Sequence, residues 1–183
     1  MRAADLADDL TTVLVTEEQI HARLDEIAAR VAADYAGKDL LLVGVLKGAV
    51  MVMADFARAL PMVTPMDWMA VSSYGTGTRS SGVVQIRKDL DTDIHDKHVL
   101  IVEDIIDSGL TLSWLLDNFA ARGAASVEVF ALLRKPEAAK VHVESRYVGF
   151  DIPNEFVVGY GLDYAERYRN LRDVAVLAPH VYS

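Results

Sequence analysis

The sequence predicts an α/β fold in which a mainly parallel, twisted sheet is flanked by helices. Three observations carry that expectation. Continuous apolar runs of strand length, "DLLLVGVL" at 39–46 and "HVLIVED" at 98–104, lack the alternation of a half-exposed strand and suit strands covered on both faces. Amphipathic segments with helical spacing lie between such runs. The two kinds of segment alternate along the chain, as parallel strands joined by crossover helices require. At 183 residues, 52% of them hydrophobic, the chain suits one domain spanning 1–183 with a substantial core.

The elements follow in order. Residues 1–11 are expected to fray. Thr16-Glu17-Glu18-Gln19 reads as a capping box. Ile20, Leu24, Ile27, Val31 and Tyr35 then recur at helical spacing, and Gly37 closes the helix. A buried strand is expected at 39–46 and a helix from Lys47, stopped by Pro61. Residues 66–74 read as a strand, 75–82 as a polar glycine-rich loop, 83–90 as a strand and 91–97 as a turn. The strand at 98–104 precedes an amphipathic helix at 110–123, ended by Gly123. Another strand is expected at 126–133, and short strands around Pro153 within 147–164. Trp68 and Trp114 sit in apolar patterns and are expected in the core.

Composition narrows the function. A net charge of −9 disfavours a general nucleic-acid or membrane-surface role. The absence of cysteine removes disulfides and thiol chemistry and fits a cytoplasmic protein. The N-terminal residues have early acids and no long apolar run, so neither a signal peptide nor a membrane anchor is expected. The five histidines show no paired zinc spacing. Gly75 and Gly77 do not have dinucleotide-fingerprint spacing, and there is no GK[ST] phosphate loop.

"VLIVEDIIDSGLTL" at 99–112 is the most informative stretch. Ligands of open α/β sheets bind beyond the carboxyl ends of the strands, where Glu103 and Asp104 should lie. Asp107, Ser108 and Gly109 are followed by a helix whose first N–H groups and positive dipole end favour an anion, and Thr111 adds a hydroxyl. Two carboxylates would repel that phosphate, so they suit a vicinal diol or a divalent cation beside it. The ligand implied is a ribose 5-phosphate with its diol intact. The plain alternative is a strand end with solvated acids and a capped helix.

The same stretch closely resembles the phosphoribosyl-diphosphate (PRPP) motif of type I phosphoribosyltransferases. "VGVLKGAVMVMADFAR", "SSYGTGTRSSG", "LLRKP" and "FDIPNEFVVGYGLDYAERYRNL" narrow the likeness to the hypoxanthine (hypoxanthine-guanine) phosphoribosyltransferases, from about residue 12 to the C-terminus. The resemblance implies the type I phosphoribosyltransferase fold, with a small hood built partly from the C-terminal segment. It implies transfer of 5-phosphoribosyl from PRPP to a 6-oxopurine, with Mg²⁺ as cofactor and a homo-oligomer, dimer or tetramer, as the assembly. In that reading Asp107 is the catalytic base. Glu103, Asp104, Ile106, Asp107, Ser108, Gly109, Leu110 and Thr111 hold the ribose and its phosphate. Leu46, Lys47, Gly48, Ser73, Tyr74 and Arg169 hold pyrophosphate, and the peptide before Lys47 can be cis. Lys135, Phe156, Val157 and Asp163 hold the purine, while Glu103, Asp104 and Asp163 address the metal. Position 110 departs from the relatives that carry lysine there; backbone amides supply most of the grip, so the cradle should survive.

Each assignment has a bland counterpart. Lys47 could be solvated beside an ordinary strand-to-helix turn, and Lys135 a solvated strand-end cation. Phe156 could be plain core, and Asp163 and Arg169 surface charges. The rival functions are a PRPP-sensing regulator without catalysis, or a phosphoribosyltransferase for xanthine and guanine or for adenine. No appended helix-turn-helix supports the regulator.

Overall fold

A computed structural model of the protein describes residues 1–6, 8–73 and 84–182. Its main sheet has six strands in the order β4-β3-β2-β5-β6-β7. These are β2 (Leu40–Leu46), β3 (Met66–Ser73), β4 (Val84–Lys88), β5 (His98–Ile106), β6 (Ser126–Arg134) and β7 (Tyr147–Asp151). All neighbours are parallel except β3 and β4. β2 and β5 occupy the centre, which is why their apolar runs do not alternate with polar residues.

Helices α1 (Glu17–Asp34) and α2 (Val50–Ala59) pack Ile20, Leu24, Ile27, Val52, Met53 and Phe56 against one face. Helix α3 (Leu110–Ala121) packs Leu112, Leu115 and Phe119 on the other. The capping box at Thr16 forms as expected: the side chains of Thr16 and Gln19 each accept the other's backbone N–H. Trp68 and Trp114 are partly buried, one against each core.

A second sheet, β1-β9-β8, is antiparallel and forms the hood. It contains β1 (Leu10–Val15), β8 (Val157–Val158) and β9 (Val174–Leu177), and the short helix α4 (Pro179–Tyr182) follows. The N-terminus departs from expectation here. Ala3–Leu6 forms a 3-10 turn, Ala3 N–H donates to Asp173, and Leu10 already pairs with Leu177. Partners far along the chain order this segment, and local pattern cannot announce them.

Two boundaries also move. The helix expected from Lys47 begins at Val50, leaving 47–49 as a turn. β5 runs two residues past Asp104, because β6 continues to Arg134 and supplies partners for Ile105 and Ile106. Glu103 and Asp104 therefore sit within a strand and not at its end. The carboxyl ends of β2, β5 and β6 reach one edge of the sheet, and the functional residues gather there.

Candidate active site

At that edge lies a cavity of about 440 Å³. Expected site residues line much of it: Leu46, Gly48, Glu103, Asp104, Ile106, Asp107, Ser108, Gly109 and Thr111. Val45, Val71, Ser72, Ile105 and Leu112 line it too and were not anticipated. Ile105 was recoverable from strand alternation, because it packs toward the α1–α2 face while Ile106 packs toward α3.

The loop from β5 to α3 is fixed by backbone. Gly109 has φ +79°, and a Cβ there would lie 2.5 Å from the carbonyl oxygen of Val141. Ser108 C=O accepts N–H groups from Lys140 and Val141 at 3.0 and 3.1 Å. α3 opens directly after this loop, and Ser108, Gly109 and Thr111 at its start line the cavity; the first N–H groups of a helix have no partner within the helix. Leu110 is the first residue of that helix and, unlike its neighbours Gly109 and Thr111, is not part of the cavity lining.

The carboxylates carry unusual electrostatics. Glu103 is buried, and desolvation together with the neighbouring Asp104 pushes its pKa well above the ordinary value. Burial also raises Asp104, to about 6, against the N–H of Ile105 and the charge of Arg169. Asp163 adds repulsion. Gly48 lies against this carboxylate so closely that a Cβ would come within 1.8 Å of Asp104 Oδ2. The Leu46–Lys47 peptide of this loop is cis.

Lys135 is 7% exposed, which removes the solvated-lysine alternative. Its N–H donates to Ile106 C=O at 2.9 Å, and its Nζ stands 3.7 Å from Asp107 Oδ2. Asp107 itself is largely exposed to the cavity mouth. Val157 is buried in the hood sheet, paired with Val176.

Other expected residues stand outside the cavity lining. Phe156 is 40% exposed, so it is not core; its ring stacks on Tyr182 with centroids 5.0 Å apart and meets Tyr164 edge-on at 5.8 Å. Tyr182 was not anticipated, since nothing local links a C-terminal tyrosine to position 156. Ser73 ends β3, and Tyr74 lies outside the described residues. Lys47 pairs with Glu166 at 3.0 Å.

The expected metal trio is not assembled. Among the described residues no three His, Asp or Glu side chains are grouped to hold an ion. Asp163 is instead engaged: Arg169 approaches one oxygen at 2.8 Å and Glu166 N–H donates to the other at 2.9 Å. Arg169 also donates to Gly161 C=O at 2.7 Å, so it holds the hood loop as well as facing the site's charge.

Comparison with known proteins decides the family. Residues 14–165 match the model of the phosphoribosyl transferase domain. The chain belongs to the phosphoribosyltransferase family. It is 57% identical to a hypoxanthine-guanine phosphoribosyltransferase of Mycobacterium tuberculosis, over 95% of this chain and 89% of that protein. A Bacillus subtilis protein of the same description is 49% identical over 95% of this chain and 97% of its own length. Among solved structures, a hypoxanthine phosphoribosyltransferase from Staphylococcus aureus superposes with a TM-score of 0.94 at 47% identity, covering 97% of each chain. In this phosphoribosyltransferase, Arg169, β9 and α4 lie beyond the matched family segment, yet they complete the hood over it.

Proposed function

We propose that this phosphoribosyltransferase moves 5-phosphoribosyl from PRPP to N9 of a 6-oxopurine, hypoxanthine foremost and guanine second, releasing pyrophosphate. The observation that carries the reading is the pairing of buried Lys135 with Asp107 at 3.7 Å. A 6-oxopurine presents N7 and O6 side by side on one edge. Lys135 has N–H donors and no acceptor, so it suits O6; Asp107 accepts a proton and suits N7–H. One base edge engages both.

The step then balances. The C1–O bond to pyrophosphate breaks and the N9–C1 bond forms. The N7 proton passes to Asp107 as general base. Positive charge develops at C1 and the ring oxygen, and the nearby Glu103 and Asp104 favour it. These two carboxylates grip the ribose diol, and the amides from Ser108 to Thr111 hold the 5-phosphate. Phe156, partly exposed and stacked on Tyr182, is the aromatic assigned to the base plane. Ser73, the last residue of β3, is assigned to pyrophosphate.

Mg²⁺ fits the donor set. Glu103 and Asp104 are adjacent carboxylates that both line the cavity, an oxygen donor set of the kind a hard divalent cation takes. One or two carboxylates are enough for Mg²⁺ when substrate oxygens complete its shell, and Asp163 acts at longer range. When bound, the ion neutralises charge on the departing pyrophosphate. The assembly we assign is a homo-oligomer, for which exposed Val63 and Met66 offer apolar surface, and the location we assign is the cytoplasm.

The test is nucleotide formation from hypoxanthine and PRPP. It should stop on chelation and return when Mg²⁺ is restored; full turnover in chelator removes the roles given to Glu103 and Asp104.

A further inference from the structure

Glu166 stands where it engages both cations assigned to pyrophosphate. Its Oε1 accepts from Lys47 Nζ at 3.0 Å, and its Oε2 lies 3.3 Å from Arg169. Lys47 leads the loop after β2, whereas Arg169 belongs to the hood, so this carboxylate bridges two elements that converge on the leaving group's place. We propose that Glu166 is an internal competitor of pyrophosphate: it occupies Lys47 and Arg169 when the site is empty and sets how weakly pyrophosphate is held.

The backbone supports a positioned group. Tyr164 and Arg167 exchange both N–H···O bonds, so Ala165 and Glu166 are the two central residues of a tight hairpin turn. Both have positive φ, +50° and +62°. Such a turn prefers Asn-Gly, and Ala-Glu is a poor choice for the backbone. Glu166 N–H is tied to Asp163, and the two cations hold its carboxylate. Lys47 chiefly keeps its pKa below the ordinary glutamate value. Lys47 and Glu166 are both well exposed, so the contact is weak enough to exchange for a more highly charged ligand.

This inference rests on the pyrophosphate assignment above. It also carries a sign that a merely structural role does not. If Glu166 only shaped the turn, its loss would loosen the site and weaken pyrophosphate. If it competes, its loss frees Lys47, leaves Arg169 with Asp163 as its one remaining carboxylate partner among the described residues, and tightens pyrophosphate. The experiment is calorimetric titration of Mg²⁺-pyrophosphate into wild type and Glu166→Gln, with the KM for PRPP measured in parallel. Glu166→Gln should bind pyrophosphate about two- to five-fold more tightly and lower the KM for PRPP. The gap should narrow in high salt, as screening weakens the exposed pair. Glu166→Asp, which keeps the charge, should stay closer to wild type, and melting curves establish that each variant is folded. Unchanged or weaker pyrophosphate binding in folded Glu166→Gln overturns the proposal while wild-type turnover stands. Failure of wild type to bind pyrophosphate at all, by contrast, removes the assignment on which it rests.

Discussion

Two residues make separable predictions. Asp107→Asn keeps shape and the approach of Lys135 but removes the proton acceptor. Its kcat should fall by roughly 10²–10⁴ with PRPP binding largely kept, as single-turnover kinetics and PRPP titration would establish. Near-normal kcat would reduce Asp107 to a structural role. Asp104 concerns stability. Its pKa rises from 3.8 to about 6 on folding, so between those values the folded protein keeps a proton that the unfolded chain has lost. Stability is therefore greatest below the unfolded pKa and declines as pH rises through about 6. Asp104→Asn should raise Tm by roughly 2–5 °C near pH 8, change it little near pH 4, and impair use of PRPP. No gain at high pH would mean that burial of this charge costs less than its surroundings suggest. Legibility at this scale was uneven. The acids and small residues of 103–111 declare themselves because strand, acid pair and helix start are local. The burial of Lys135 and the diversion of Asp163 to Arg169 were not legible, because both depend on neighbours distant along the chain.

At the level of elements, the site is a meeting of loops with no room to spare. Gly161, at φ +103°, brings the hood loop so close that a Cβ would fall 2.0 Å from Gly48 C=O, and Gly48 in turn touches Asp104. Gly161→Ala combines strain with a backbone clash and should destabilise by about 1–3 kcal/mol while raising the KM for PRPP. Gly37→Ala, at φ +75° with nothing within 4 Å, carries strain alone and should leave KM unchanged. Equal effects on KM would show that the Gly48–Gly161 contact does not position the site. Helices and central strands were legible from periodicity and apolar runs, and Thr16 from its capping box. β1 and β9 were not, since neither has enough length or contrast without the other.

Across the whole molecule, one sheet provides the carboxylate edge and a second sheet, formed by both chain ends, closes over it. The alternation of strands and helices gave the first architecture. The C-terminal hood was anticipated from resemblance, but the N-terminal strand within it was not. The central claim joins these parts: acids from the main sheet and the strand-end lysine select and activate a 6-oxopurine beneath the hood. The most direct measurement is kcat/KM for hypoxanthine, guanine and adenine, with PRPP and Mg²⁺, in wild type and Lys135→Ala. Facing adenine's amino group, Lys135 meets another donor, and an unpaired buried donor costs about 1–3 kcal/mol, more when charged. Wild type should use hypoxanthine and guanine and turn over adenine very poorly, and Lys135→Ala should lose most of that preference. Equal use of adenine and hypoxanthine by wild type, or an intact preference in Lys135→Ala, would contradict the account.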